Sequence, residues 1–234
     1  MILYFVRHGE PIYNPDSLTP LGHEQAKALS KRFLIHGLDR VYVSSSIRAQ
    51  QTAQPTCDLL RITPTICDWA HEDKAYADFH AKDENGKEGW ILDSAPMLEK
   101  FSDPEVLKLR NKWYTHPYFA DTGYEAGVNR INTEVDKLME ELGYRHDRET
   151  GRYYQIGEPP KRVAMFAHYG FGMAFLSSVL DIPYNEFLPR FNIGLTGMTA
   201  ILFYHHKNGM VIPQVVQHAG DGHLYREGLL KTNF

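Results

Sequence analysis

Ile2-Leu3-Tyr4-Phe5-Val6-Arg7-His8-Gly9-Glu10 is the stretch that decides how this chain folds. Residues 2–6 form an unbroken apolar run rich in β-formers, the pattern of a strand buried on both faces and so central in an α/β sheet. The run opens into a polar turn carrying a permanent cation, an imidazole and a glycine. In open α/β sheets, ligands bind beyond the carboxyl ends of the strands. An arginine beside a histidine at such an end offers a fork for an anionic phosphoryl group and a nucleophile that is neutral near pH 7. Alone, the pair is better explained as the polar cap of a strand, so the decision falls to what converges on it.

Outward from this turn, Thr19-Pro20 reads as an N-cap and N1 proline. Leu21, Gln25, Ala28, Leu29 and Phe33 then mark a helix that Gly37 ends. Residues 40–43 predict a second strand leading into Ser44-Ser45-Ser46. Ser46 caps a helix with Arg48 in its first turn, running to about Leu60. Residues 63–69 read as a third strand with a polar exit at 70–73. Residues 162–167 read as a fourth, running into His168-Tyr169-Gly170 and a helix from about Phe171 to Leu180. Residues 199–204 and 211–217 are last strands, joined through Lys207-Asn208-Gly209. This alternation predicts one α/β domain: a three-layer sandwich with a mostly parallel central sheet flanked by helices. A helical cap insertion spans about residues 75–143, where Val128, Ile131, Val135, Leu138, Met139 and Leu142 fall at helical spacing before Gly143. An excursive hairpin centred on Thr150-Gly151 covers about residues 144–160.

Composition narrows the function. A hydrophobic content of 43% with 23% charged residues is that of an ordinary globular protein, and a net charge of −4 argues against nucleic-acid binding. No apolar run is long enough to cross a membrane, and the N-terminus lacks the basic start of a signal peptide. Two cysteines, Cys57 and Cys67, without metal-ligand spacing, predict reduced thiols in a cytoplasmic protein. His205-His206 has no partners at ligand spacing and reads as a solvated strand end. A homodimer is compatible with the sequence but not required by it.

Three strand exits carry the same kind of residue. The first delivers Arg7 and His8, the fourth His168, and the turn after the second delivers Arg48 at a helix start. In a parallel sheet these exits share one edge, so two guanidinium forks, two imidazoles and a helix N-terminus face one volume suited to a phosphate dianion.

The residues also carry a family resemblance. Arg7-His8-Gly9-Glu10 with Asn14 matches the RHG-E/Q-x-x-x-N start of the histidine phosphatase superfamily, in the branch of the cofactor-dependent phosphoglycerate mutases and many phosphomonoesterases. Residues 18–26, LTPLGHEQA, resemble its LTxxGxxQA helix entry, and residues 44–53, SSSIRAQQTA, its SSxxRAxQTA segment. His168 resembles the second catalytic histidine and His223-Leu224 a late HL pair. The resemblance implies attack on phosphorus by a ring nitrogen of His8, the other nitrogen being held by an acceptor such as a backbone carbonyl near the strand exit. It implies that Arg7 and Arg48 grip the phosphoryl oxygens, that protonated His168 and the Asn14 amide add donors, and that no metal or other cofactor is needed. A carboxylic acid after the third strand would protonate the leaving alkoxide. Glu72 is favoured there, with Asp73 second and Asp68 also a candidate.

Two departures bear on activity. The short Pro15-Asp16-Ser17 segment and the lack of an Arg-Pro-Pro segment remove elements with which the mutases clamp substrate, which favours hydrolysis. Tyr169 replaces the family's usual glycine, either reshaping the pocket floor or orienting His168 through its hydroxyl. The expected activity is a metal-independent phosphomonoesterase acting on a small organic phosphate through a phosphohistidine at His8. The alternatives are a phosphoglycerate mutase or a specialised phosphatase such as α-ribazole phosphatase, and, in another class, a non-catalytic phospho-ligand binding module. His71 stands beside the expected acid and could tune it or touch substrate. His218 and His223 lie near the late strand exit, where His223 could border the pocket. Tyr76, Trp90, Trp113 and Tyr118 are expected in the core of the cap, with one or two facing the pocket.

Overall fold

The computed structural model describes residues 1–229. The chain begins with β1 (Ile2–Arg7), a small hairpin of β2 (Pro11–Tyr13) and β3 (Asp16–Leu18), α1 (Pro20–His36), β4 (Arg40–Ser44), α2 (Ile47–Leu60) and β5 (Thr65–Cys67). The insertion follows as α3 (Glu72–Asp78), β6 (His80–Lys82), β7 (Glu88–Trp90), α4 (Ala95–Phe101), α5 (Pro104–Lys108) and α6 (Tyr124–Glu141). Next come β8 (Tyr144–Asp147), β9 (Arg152–Gln155), β10 (Arg162–Ala167), α7 (Tyr169–Leu180) and α8 (Tyr184–Phe187). The described part closes with β11 (Met198–His205), β12 (Met210–Gly220) and α9 (Gly222–Arg226).

Eight strands form one sheet in the order β5-β4-β10-β1-β11-β12-β9-β8. The half that carries the site, β5-β4-β10-β1, is parallel, and β11 continues from β1 antiparallel. Strand alternation explains why β1 reads as wholly apolar. Tyr4 and Val6 pack on one face with Leu29 and Phe33 of α1 and Ala49 and Ala53 of α2, whereas Leu3 and Phe5 face the layer of α6 and α7. The register sets Arg7 beside Ala167, Phe166 beside Val43, and Ser44 beside Cys67, so the four parallel strands end nearly flush.

The helix boundaries follow their caps. Thr19 Oγ1 accepts from Gly22 N ahead of Pro20, Gly37 ends α1 at a φ of +70°, and Ser46 Oγ accepts from Ala49 N to start α2. α7 is apolar around nearly its whole circumference because the sheet lies on one side and the insertion on the other. Phe101, Trp113, Phe119 and Tyr124 of the insertion and Tyr184 of α8 make an aromatic core of mostly edge-on contacts.

Three local details differ from the sequence expectation. The third strand shrinks to residues 65–67, because Asp68–Ala70 turns as a 3-10 helix to lay Trp69 edge-on against Phe171 at 5.3 Å. The insertion contains the short β6–β7 pair as well as helices. The hairpin turning at Thr150-Gly151 does form, but it joins the main sheet: β9 pairs with β12 through Tyr153 and Tyr154.

Candidate active site

The turn after β1 is held from every side. His8 N donates to Ala167 O on the neighbouring strand (2.9 Å), and Thr196 N donates to His8 O (3.2 Å). Gly9 N donates to Thr52 Oγ1 (2.9 Å), which itself donates to Arg48 O (2.7 Å). Glu10 N donates to Gln25 Oε1 (2.9 Å), and Thr19 Oγ1 donates to a Glu10 carboxylate oxygen (2.6 Å). A Cβ on Gly22 would overlap Glu10 O, and one on Gly9 would lie 2.8 Å from Gly22 O. Both glycines are therefore required by a close backbone approach. Gly9, Gly22, Gln25 and Thr52, quoted above only as motif letters, are the frame that fixes His8 to α1 and α2.

The His8 ring is buried at 3% exposure, and its Nδ1 lies 2.7 Å from Gly9 O. A carbonyl can only accept, so Nδ1 carries the proton and the Nε2 lone pair is free. Burial, reinforced by the Arg7 and Arg48 charges, pushes the ring pKa down to about 3, against the pull of the Gly9 carbonyl. His8 is thus a neutral imidazole at pH 7.

His168 follows β10 directly, its ring centroid 5.2 Å from that of His8. Its Nε2 lies 2.8 Å from Ser44 Oγ and 3.2 Å from Ser46 Oγ. Both oxygens also accept a backbone N–H, from Ser46 and Ala49, and one hydroxyl hydrogen between them satisfies the single Nε2 lone pair. The remaining proton then sits on Nδ1, which is buried without a partner among the described residues. Burial, with His8 and the arginines adding to it, pushes the His168 pKa well below its usual range. Burial thus favours the neutral ring over the protonated one that the resemblance implies, and Nδ1 is the nitrogen that can donate to a ligand. The two serines were read from sequence as a strand exit and a helix cap. Their lateral closeness to the end of β10 was the usable signal.

Both arginines turn inward. Arg7 donates through Nη1 to Ile193 O (2.7 Å) and lies over the Tyr169 ring at 5.2 Å, leaving a buried Nε without a partner. Arg48, 7% exposed, is paired through Nη1 with Asp16 (2.8 Å), and its buried Nε is likewise unpaired. Three buried donors without partners among the described residues, from Arg7, Arg48 and His168, thus lie around His8.

The three candidate acids separate clearly. Glu72 opens α3, capped by His71, and its two carboxylate oxygens accept from Gly170 N and Phe171 N at 2.9 Å each, at the start of α7. Burial pushes this carboxyl up, opposed by those two N–H groups and by the nearby Arg48 and Arg7 charges. Asp73 is exposed (side chain 89%) beside His71, and Asp68 is bound outside by Ser45 and Lys74. Only Glu72 is brought to the histidines and arginines.

The other expected contributors divide. Asn14 is exposed in the β2–β3 turn, between Tyr13 and Asp16, which both reach Arg48. Tyr169 lies beneath Arg7. Its buried hydroxyl has no partner among the described residues, and burial pushes its pKa up to about 12. It does not bond His168, whose Nε2 is taken by the serines. His71 lies 6.1 Å from His168, at the edge of the site. His223 instead bonds Thr196 Oγ1 (3.0 Å) and so braces the loop that holds His8 O. Trp90 packs on Gly170, where any Cβ would overlap its indole, whereas Trp113 is cap core and Tyr118 is exposed. His205 bonds Tyr144 (2.8 Å), and His218 lies 3.0 Å from Asn192 O. Among the described residues no three His, Cys, Asp or Glu are grouped to hold a metal ion, and no helix is long and apolar enough to cross a membrane.

Residues 3–83 match the family model described as Histidine phosphatase superfamily (branch 1). A curated relative from Hydrogenobacter thermophilus, named "Putative phosphoserine phosphatase 2", is 26% identical over 153 residues, 62% of this chain and 68% of that protein. Among solved structures, a phosphoserine phosphatase variant from Entamoeba histolytica in complex with phosphoserine superposes with a TM-score of 0.59 at 18% identity, covering 95% of this chain and 98% of that one. The α-ribazole phosphatase of Shigella flexneri gives 0.58 at 18% identity, over 94% and 97%. At these identities the structural likeness speaks for the fold.

Proposed function

We propose that this chain, whose residues 3–83 match the histidine phosphatase superfamily model, is a metal-independent phosphomonoesterase of that kind that hydrolyses a small organic phosphate through a phosphohistidine at His8. The observation that carries the reading is a free Nε2 on His8 among three unpaired buried donors, Arg7 Nε, Arg48 Nε and His168 Nδ1. Leaving such donors unpaired is costly unless an anion takes them.

A phosphate monoester bound there would have its negative charge balanced by two guanidiniums, which makes positioning and charge neutralisation the main work of catalysis. His8 Nε2 forms the bond to phosphorus as the ester P–O bond breaks. The departing alkoxide takes the proton of Glu72, whose raised pKa favours the acid form. Glu72, now a carboxylate, takes a proton from water as that water attacks the phosphohistidine, which returns His8 and releases phosphate. Tyr169 offers a protonated hydroxyl beside Arg7 for the phosphoryl group or the leaving oxygen.

The names of the relatives put O-phosphoserine first in a panel of phosphate esters, with α-ribazole phosphate beside it. The test is turnover of p-nitrophenyl phosphate in excess EDTA by the wild type and by His8→Ala. The proposal expects metal-free turnover that His8→Ala abolishes. Loss of turnover on chelation, or an active His8→Ala protein, overturns it.

A further inference from the structure

We propose that Asp16 is a positioning residue for phosphate recognition, clamping Arg48 so that only its Nε–Nη2 edge faces the phosphoryl group; this rests on the phosphate-site reading above. The Asp16 carboxylate spends both oxygens on α2. Oδ1 accepts from Arg48 Nη1 at 2.8 Å and Oδ2 from the backbone N–H of Ile47 at 2.7 Å. Because one oxygen is tied to the backbone of the helix that carries Arg48, the carboxylate is a fixed reference point for the guanidinium.

The short hairpin supplies a second grip. Tyr13 is the cross-strand partner of Asp16, and its ring lies 5.5 Å from Arg48 Cζ. Leu18 N, at the end of the hairpin, donates to Gln51 Oε1 on α2 at 2.7 Å. Asp16 thus holds one edge of the guanidinium and Tyr13 covers a face, both from opposed positions of one hairpin stitched to α2 at both ends. The buried Nε is left without a partner. An arginine so held loses little further freedom when it binds phosphate, which is what a rigid fork requires. The Pro15-Asp16-Ser17 segment therefore does more than shorten a loop.

The competing arrangement is a carboxylate that occupies the phosphate's place and must leave when substrate enters. The two differ in sign. A clamp strengthens phosphate binding although it adds a negative charge nearby, whereas a plug weakens it.

The experiment measures calorimetric binding of inorganic phosphate to the wild type, Asp16→Ala, Arg48→Ala and the double variant, with circular dichroism to check folding. The clamp predicts that Asp16→Ala weakens phosphate binding about ten-fold, within the range for directly coupled residues, and changes it less than about two-fold in the Arg48→Ala background. Tighter binding by Asp16→Ala makes the carboxylate a plug, and an equal loss in both backgrounds makes its role merely structural; either result overturns the clamp. If Asp16→Ala does not fold, Asp16→Asn keeps an acceptor for Ile47 N–H while removing the charge on Arg48, and the same comparison applies. Binding by the wild type that Asp16 variants leave unchanged sinks the clamp alone. A wild type that binds no phosphate sinks the phosphate site itself.

Discussion

Glu72→Gln separates the acid role of this side chain from its structural one. In the native site both carboxylate oxygens accept backbone N–H groups at 2.9 Å. The amide of glutamine keeps one acceptor and sets an NH2 against the other N–H. One acceptor is lost and a buried backbone N–H is left unsatisfied, a cost of about 1.5–3 kcal/mol. In a chain of this size that lowers the melting temperature by about 3–12 °C, so the variant remains folded for assay at 25 °C. Catalytically, the variant has no proton for the leaving oxygen. An alkyl phosphate should lose about 10²–10⁴-fold in kcat/KM, the usual range for a general acid. p-Nitrophenyl phosphate expels a stabilised phenolate that needs no proton, so its kcat/KM should fall far less. Because Glu72 also activates water in the second step, stopped-flow should show a burst of nitrophenolate equal to the enzyme, followed by slow turnover. Equal losses for the two esters, or the leaving-group dependence appearing in Asp73→Asn instead, would refute the assignment.

Other consequences follow from the geometry. Gly22→Ala drives a Cβ into Glu10 O, a backbone clash that no rotamer relieves, and should cost about 1–3 kcal/mol in urea denaturation while lowering turnover, because the turn that moves carries His8. The double change Ser44→Ala with Ser46→Ala removes the hydroxyls that keep the His168 proton on Nδ1, and kcat/KM should drop about ten-fold or more, while loss of the Ser46 cap on α2 lowers the melting temperature by about 1–8 °C; an unchanged kcat/KM would count against the tautomer. Stability should depend on acid through His8. Its folded pKa of about 3 lies below the unfolded 6.5, so its neutral form imposes no penalty above pH 6.5, and the unfolded state binds an extra proton as pH falls from 6.5 towards 3. Across that window the native state should lose up to roughly 5 kcal/mol from this group, and His8→Ala should flatten the urea-measured pH slope by that share. An identical slope in His8→Ala would place the acid sensitivity elsewhere.

The parallel half of the fold was legible because its signals are local. An apolar run buried on two faces, a Thr-Pro helix entry and a Ser cap before Ile47 each specify an element without reference to the others. The convergence of Arg7, His8, Arg48 and His168 was legible too, since parallel strands bring equivalent ends to one edge. Contacts set by three-dimensional packing were not. Glu72 reaches the N–H groups of Gly170 and Phe171, nearly a hundred residues away, and no spacing rule announces that pairing. The downward push on the His168 pKa was not legible, because burial, its largest cause, is set only when the site is assembled. Asp16 looked like an incidental loop residue, because its role depends on a hairpin whose register the sequence states only weakly. The hairpin around Thr150-Gly151 was visible, but its docking on β12 was not, because two paired residues leave little trace in a pattern.

The central claim is that His8 Nε2 is the nucleophile, and the most direct test is to trap the phosphorylated enzyme. Wild-type protein quenched in alkali during turnover of a phosphate ester should carry one phosphoryl group, stable in base and labile in acid, and phosphorus NMR should place it on the His8 nitrogen remote from Cβ. That nitrogen is expected because the other ring nitrogen is committed to Gly9 O. A phosphoryl group on Nδ1, on any other residue, or still present in His8→Ala would contradict the account.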